Sequence, residues 1–549
     1  MRLRILRILH PRGTREAPVS PMVGRRTNVR PVEDVDVPRI FRVKVQDSRS
    51  SGTHCRLCPL EREGHVMSAT GSTQSKTRDG AQFKRRVYGL AVAAAVGGFL
   101  FGFDSSVING AVEAIEKQFE IEGLVQGFAV AIALIGCAVG AFVAGRLADR
   151  FGRKAVMLIG AILFLVSSIG AGFAFGVIDF MIWRFIGGLG IGVASVIAPT
   201  YIAEVVPAAV RGRLASLQQL AITIGIFAAL LSDALFAGIQ DADATRIVAG
   251  IEAWRWMFLV GIVPSVVYGF LALRVPESPR YLLAQGREDE ARQVLATIQP
   301  QNEIDDEVDA IRGNIKEDEE NKQKGSLKGS ALGLAPVLWI GLALSVFQQF
   351  VGINVIFYYS TTLWSAVGFQ DAFLISVFSA VVNVAVTFVA IAIVDKVGRR
   401  PMLLAGSAGM AVSLAAMAIS FSQAQTVDGA VTLPGAFGVI ALIGANLFVV
   451  SFGATWGPLV WVLLGEIFPN RMRAKALGVA AAAQWIANFL VTLTFPYLSD
   501  FSLAFTYGMY ATFSVLSFLF VFLFVPETKG VRLEDVGGLV FGRAKKAAQ

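Results

Sequence analysis

Two charged residues stand in otherwise apolar stretches of this chain: Asp104, within Gly98-Phe-Leu-Phe-Gly-Phe-Asp-Ser-Ser-Val-Ile-Asn-Gly-Ala111, and Arg184, within Phe180-Met-Ile-Trp-Arg-Phe-Ile186. A carboxylate that can turn neutral beside a fixed cation is able to take up and release a proton. All three histidines (His10, His54, His65) lie ahead of residue 87. Proton chemistry in the apolar body therefore falls to carboxylates. The same body holds amides at Gln219, Gln348, Gln349, Asn354, Asn383, Gln484 and Asn488, with rings at Tyr358, Trp461 and Trp485. Gln484 and Asn488 are four apart and share a helical face. Amides that both donate and accept, set beside rings, can hold a polar ligand; each one alone can equally tie two helices together.

Other motifs carry less. Cys55-x-x-Cys58 with His54 and His65 has no second ligand pair, and adjacent His54 and Cys55 are awkward joint ligands, so no metal is expected. Gly188-Leu-Gly190-Ile-Gly192 lacks the dinucleotide spacing and reads as small residues that let helices approach. With no G-x-x-x-x-G-K-[ST], neither a nucleotide nor any other cofactor is implied.

These residues need elements to position them. Of 549 residues, 54% are hydrophobic and 16% charged, and the mean hydropathy is +0.60. A soluble surface needs about a quarter charged, so the chain is a polytopic membrane protein in a lipid bilayer. The net charge of +8 does not point to nucleic acid. Residues 1–86 carry 19 Lys/Arg against 8 Asp/Glu, and the remaining residues carry 30 against 33.

Twelve stretches of ~20 mostly apolar residues follow. They are Val87–Ile108, Gly127–Gly145, Ala155–Gly176, Ile178–Pro199, Leu214–Leu235 and Trp256–Val275, then Val337–Leu363, Phe373–Val394, Met402–Phe421, Gly435–Ile467, Ala476–Leu498 and Leu503–Val525. The expected domains are a disordered basic tail 1–86, a six-helix bundle 87–275, a linker of short amphipathic helices 276–336, a second bundle 337–525 and a tail 526–549. Residues 1–66 are expected to be dispensable or to reflect an early start site, with Met67-Ser-Ala-Thr-Gly-Ser leading into the first helix. Of the body's 30 Lys/Arg, 26 fall on one side, which places both termini and the linker in the cytoplasm. Among groups ionisable at pH 7, only Asp104 and Arg184 sit well inside the spans. Asp104 lies ~26 Å above Val87 and Arg184 ~30 Å above Glu204, so the two share a depth and are expected to pair.

The halves repeat each other. Gly145-Arg-Leu-Ala-Asp149-Arg-Phe-Gly152-Arg153-Lys154 recurs as Asp395-Lys-Val-Gly398-Arg399-Arg400. Glu204-Val-Val-Pro207 with Arg211 recurs as Glu466-Ile-Phe-Pro469 with Arg473, and Pro276-Glu277-Ser-Pro-Arg280 as Pro526-Glu527-Thr-Lys-Gly530. Three matches in the same order mark a duplicated bundle.

With these motifs the chain resembles the sugar porter family of the major facilitator superfamily. Its wording, including Gln348-Gln-Phe-Val-Gly-Ile-Asn354, is most similar to bacterial glucose and other monosaccharide–proton symporters, actinobacterial glucose permeases among them. The resemblance implies an all-α membrane protein, twelve transmembrane helices in two bundles, that transports rather than catalyses. A sugar presents hydroxyls and a partly apolar face, which suits amides and rings. The resemblance assigns sugar contacts to Gln219, Gln348, Gln349, Asn354, Trp461 and Gln484, proton coupling to Asp104, and a cytoplasmic latch to Arg153–Glu204 and Arg399–Glu466. Arg211, Arg473, Glu277 and Glu527 complete networks that hold the halves together when the site faces outward and break when it opens inward, with Asp149 and Asp395 in the duplicated loops. Lys396 and Phe103 depart from the pattern, where Arg and Tyr are usual. The expected function is proton-coupled symport of a monosaccharide, glucose first. The alternatives are a passive facilitator and a symporter for galactose, xylose or myo-inositol. A drug exporter would have an apolar cavity, and a sugar sensor a long structured tail.

Overall fold

The computed structural model describes residues 71–238, 243–324, 327, 333–427, 430–468 and 470–529. The expectations for residues 1–70, including Cys55, Cys58 and Met67, and for 530–549 lie outside the described residues.

In hydrocarbon every backbone N–H and C=O must find a partner within its own segment, so apolar runs become helices. The first half contributes α1 (Gly71–Phe119), α2 (Gly123–Phe151), α3 (Arg153–Gly172), α4 (Val177–Val205), α5 (Ala208–Ala237), α6 (Ala253–Leu259) and α7 (Ile262–Arg274). The linker carries α8 (Pro279–Ala284), α9 (Glu288–Ile298) and α10 (Ile304–Lys324). The second half contributes α11 (Pro336–Phe350), α12 (Ile353–Tyr358), α13 (Ser360–Ala366), α14 (Ala372–Val397), α15 (Arg399–Phe421), α16 (Phe437–Gly453), α17 (Trp456–Ile467) and α18 (Asn470–Phe524).

Eleven helical stretches among the described residues are long and apolar enough to cross a membrane, and the last, Lys475–Phe524, has 50 residues. At 1.5 Å per residue that is ~75 Å, more than twice a ~30 Å core. The chain leaves helical geometry at Ser502 (φ −172°, ψ 117°), which divides α18 into two crossings. The twelve expected crossings are thus present.

The structure departs from the sequence reading in three ways. Residues 71–86, assigned to a disordered tail, are the first turns of α1. Three spans are broken internally: between α6 and α7, between α11, α12 and α13, and between α16 and α17. The break after α11 turns on Gly352 at φ 84°, a left-handed conformation that suits only glycine comfortably. Two short antiparallel ribbons, Ile247–Val248 with Ile251–Glu252 and Gln425–Val427 with Ala430–Thr432, close loops that the reading left without structure.

Small residues set the helix spacing. A Cβ at Gly102 would run into the Ile222 carbonyl oxygen of α5, and one at Gly225 into the Phe99 carbonyl oxygen of α1. Likewise Gly188 and Gly192 of α4 lie against the Ala133 and Cys137 carbonyls of α2, which is the packing role expected for that run. Across the halves, α5 packs on α14, α2 on α18, and α1 on α12 and α13. The linker helices are laced by Arg292–Glu288 (2.9 Å), Arg292–Asp305 (2.5 Å) and Arg312–Glu288, the solvated amphipathic surface expected of them.

Candidate functional site

The deep charges meet. Arg184 Nη1 donates to Asp104 Oδ1 at 2.7 Å and Nη2 to the Asp104 carbonyl oxygen at 3.4 Å, with the two side chains 2% and 6% exposed. The guanidinium also lies 5.6 Å from the Phe258 ring centroid, a cation–π contact. Asp104 Oδ2 and Arg184 Nε have no partner. The pair lines a cavity of about 10 Å³, room for about one water. Its wall includes Ser105 and Phe101 of α1, Cys137 of α2 and Tyr358 of α12, so the charged pair and a residue of the opposite half border one space.

The expectation that Asp104 and Arg184 are the only ionisable groups well inside the spans needs correction. Asp233 of α5 is fully buried, its Oδ2 accepting the Gly110 backbone N–H at 3.2 Å and its Oδ1 without a partner. It stands four residues before the end of its helix, which hid it among residues expected to be at the boundary.

The amides divide into groups. Gln348 Nε2 donates to the Trp456 and Gly457 carbonyls (3.0 and 3.2 Å) in the first turn of α17, while its Oε1 is buried and open. Asn354 Nδ2 donates to Gln349 Oε1 at 2.6 Å, bridging the Gly352 break. The Tyr358 hydroxyl faces Asn488 and Ser105, and Asn488 Oδ1 accepts from Thr492 at 3.3 Å. One helical turn before Asn488, Gln484 presents a buried, unpartnered Oε1. Trp485 packs edge-on against Phe101 at 5.5 Å between centroids. Asn383 of α14 is buried beside Gly453, where an added Cβ would lie 3.2 Å from its Oδ1. Gln219 is half-buried on α5. Trp461, expected as a stacking ring, is 42% exposed and makes no ring contact among the described residues.

The sequence reading missed a buried clasp between the halves. Asn109 of α1 accepts through Oδ1 from the Thr361 N–H (3.2 Å) and Ser360 hydroxyl (3.3 Å), and its carbonyl oxygen accepts from the Thr361 hydroxyl (2.5 Å). Ser360 continues to Ser376 at 2.6 Å. An Asn inside Val107-Ile-Asn-Gly110 was the signal, since a lone amide in an apolar run needs partners.

At the linker face the repeated motifs build one network twice. Arg153 donates to Glu204 through Nε and Nη2, both 2.9 Å, and to the Ala148 carbonyl; its backbone N–H donates to Glu277 Oε1 at 2.8 Å. Arg399 reaches Glu466 from Nε (3.2 Å) and Nη2 (3.0 Å), and the Val394 carbonyl; its N–H donates to Glu527 Oε1 at 3.0 Å. Asp149 stands 3.5 Å from Arg153, largely exposed, and Arg473 caps the Phe468 carbonyl at 3.1 Å. Burial lowers the Arg473 guanidinium from its ordinary range. The side chains of Arg211 and Asp395 lie outside the described residues. These described contacts each stay within one half; the sequence reading has the networks join the halves when the site faces outward and part when it opens inward.

The sequence matches the sugar (and other) transporter family over residues 90–539. It is 49% identical to a glucose transport protein of Synechocystis sp. over 469 residues, 85% of this chain and 99% of that one. It is 36% identical to the D-xylose-proton symporter of Escherichia coli over 499 residues, 84% and 97% of the two chains. Among solved structures, the inward open conformation of the E. coli xylose transporter XylE superposes with a TM-score of 0.70 at 34% identity, covering 82% of this chain and 99% of that one.

Proposed function

The chain belongs to the sugar transporter family, a multi-pass membrane fold, and from that premise we propose that it carries a monosaccharide together with a proton across the cell membrane by alternating access. Glucose is the first substrate, because the relative at 49% identity is named for glucose; the xylose-proton and arabinose-proton symporters among its relatives share 36%. On this reading the linker face, where the Lys and Arg gather, is cytoplasmic, and no cofactor or nucleotide takes part.

The observation that carries the proton half is the buried Asp104–Arg184 pair sharing a one-water cavity with Tyr358. With Asp104 ionised, the pair is electrically satisfied. A proton on Asp104 removes the attraction and leaves α1 free to shift against α4. Ser105, the next residue, faces the Tyr358 hydroxyl, which also faces Asn488 in the second half. A shift of α1 thereby reaches the amide group around Gln348, Gln349, Asn354, Gln484 and Asn488, where sugar hydroxyls find open acceptors at Gln348 Oε1 and Gln484 Oε1. Gln219 and Trp461 are assigned to the same site by the family resemblance, and Asn383 by its residue type and span. The paired linker-face networks brace each half as a unit, with Arg211 and Arg473 in the first turns of α5 and α18, so that the halves can rock as bodies.

The test is glucose uptake into proteoliposomes with and without an inward proton gradient, followed by counterflow with a sugar panel. Gradient-driven accumulation supports symport. Equilibration alone would make the protein a facilitator.

A further inference from the structure

Asp233 has no part in the mechanism above, and its surroundings are unusual for a carboxylate. It is fully buried, one oxygen accepts a single backbone N–H from Gly110, and the other has no partner. The approach is close: a Cβ on Gly110 would lie 2.7 Å from the Asp233 carboxyl carbon. An ionised carboxylate so placed has no cation beside it among the described residues and a single N–H to offset its burial.

The ionisable groups on the elements packed against α5 do not supply a partner. Asp104 of α1 and Arg184 of α4 hold each other, Glu113 holds Lys117, and Arg255 of α6 holds Glu252. Glu116 accepts from Gln126. Asp179 bonds the Phe175 N–H, and Glu204 sits at the far end of α4 with Arg153. On α14, Asp371 is exposed at the start and Lys396 lies at the opposite end. A carboxyl that stays neutral is what this environment accommodates.

Position says when that proton would come and go. Asp233 lies near the end of α5 remote from the linker face, and α5 packs on α14 of the other half. The neighbouring residue of its partner Gly110 is Asn109, whose clasp on Ser360 and Thr361 shuts this side, with Ser376 of α14 in the same chain of bonds. Parting the halves here would break the clasp, separate α14 from α5 and admit water.

We infer that Asp233 is a gating proton site: it binds a proton from the outer solution as the Asn109 clasp closes and returns it to the same side as the clasp opens. Such a proton changes the pH dependence of the conformational step but not the proton-to-sugar ratio. This rests on the symport reading for the identity of the transported ligand, though not for the protonation itself.

Infrared spectra of the reconstituted protein test the protonation. A carbonyl stretch of a neutral carboxylic acid is expected at neutral pH, lost in Asp233→Asn, retained in Asp104→Asn and diminished in Asn109→Ala, whose clasp is broken. A spectrum unchanged by Asp233→Asn and by a second variant, Asp233→Ser, overturns the inference. The consequence is read by glucose counterflow in an Asp104→Asn background. A fall in exchange as external pH rises is expected there and lost on adding Asp233→Asn, while Asp233→Asn alone keeps the proton-to-sugar ratio of the unsubstituted protein. An altered ratio makes Asp233 a transported-proton site and also overturns the inference. If the unsubstituted protein moves no protons with sugar, the symport reading fails while the infrared result still decides Asp233.

Discussion

Arg184 holds the Asp104 carboxylate by a single nitrogen-to-oxygen bond of 2.7 Å, leaving Oδ2 of the carboxylate and Nε of the guanidinium unmatched. A two-pronged pair would satisfy both groups and resist opening. The one-pronged pair leaves one oxygen of Asp104 available to a proton while the other still touches the cation, which suits a contact that must be made and broken in each cycle.

Asp104→Asn fixes the neutral form. It should abolish sugar accumulation driven by a proton gradient and leave counterflow between preloaded compartments largely intact. A variant that still concentrates sugar against its gradient would reduce the pair to a structural one.

Arg184→Ala strands a buried carboxylate, at a cost of about 3–5 kcal/mol if it stays ionised. Thermal unfolding in detergent should show a clear loss of stability at neutral pH, and the double variant with Asp104→Asn should recover much of it. Additive losses in the double variant would mean that the two residues act independently.

Gln348→Ala removes an open acceptor and a donor to the α16–α17 break, at about 1–3 kcal/mol, or roughly 5- to 150-fold in apparent glucose affinity. Equilibrium binding by tryptophan fluorescence measures it. Unchanged affinity places the sugar elsewhere.

Gly102→Ala forces a Cβ into the Ile222 carbonyl and should cost about 1–3 kcal/mol of stability. Gly89→Ala, where nothing lies within 4 Å, is the control and should be neutral or slightly stabilising. Equal unfolding temperatures for the two would show that α1 and α5 do not pack this closely.

Arg153→Ala should destabilise more than Arg399→Ala. The Arg153–Glu204 side chains are each 9% exposed, against 13% and 24% for Arg399–Glu466, and a better-sealed pair loses more when one partner goes. Unfolding temperatures give the order; the reverse order would mean that burial is not what sets the strength of these pairs.

The spans were legible because hydropathy in windows of ~20 residues answers directly to bilayer thickness. Asp104 and Arg184 were legible because two charges at one depth have few alternatives to each other. Asp233 was not, since a carboxylate near a helix end is ordinarily solvated, and only the packing of Gly110 against it shows otherwise. The internal breaks were also hidden. Gly352 and Thr455 interrupt helices without interrupting the apolar run, so hydropathy passes over them.

Gly152 and Gly398 adopt nearly the same backbone conformation, φ 91°, ψ 164° and φ 108°, ψ 160°, and a Cβ at either would press on the glutamate, Glu277 or Glu527, that caps the following helix. The arginine–glutamate and backbone-to-glutamate bonds around them correspond residue for residue, and Lys154 and Arg400 each cap a carbonyl of their own bundle, at Leu273 and Phe522. Correspondence at that grain is inheritance. A single six-helix ancestor carrying this joint would have had to associate with an identical copy lying the same way up before its gene was doubled. The asymmetries now present, Asp104 and Arg184 in one half and the Gln348 amides in the other, are then later specialisations of two once-equal partners.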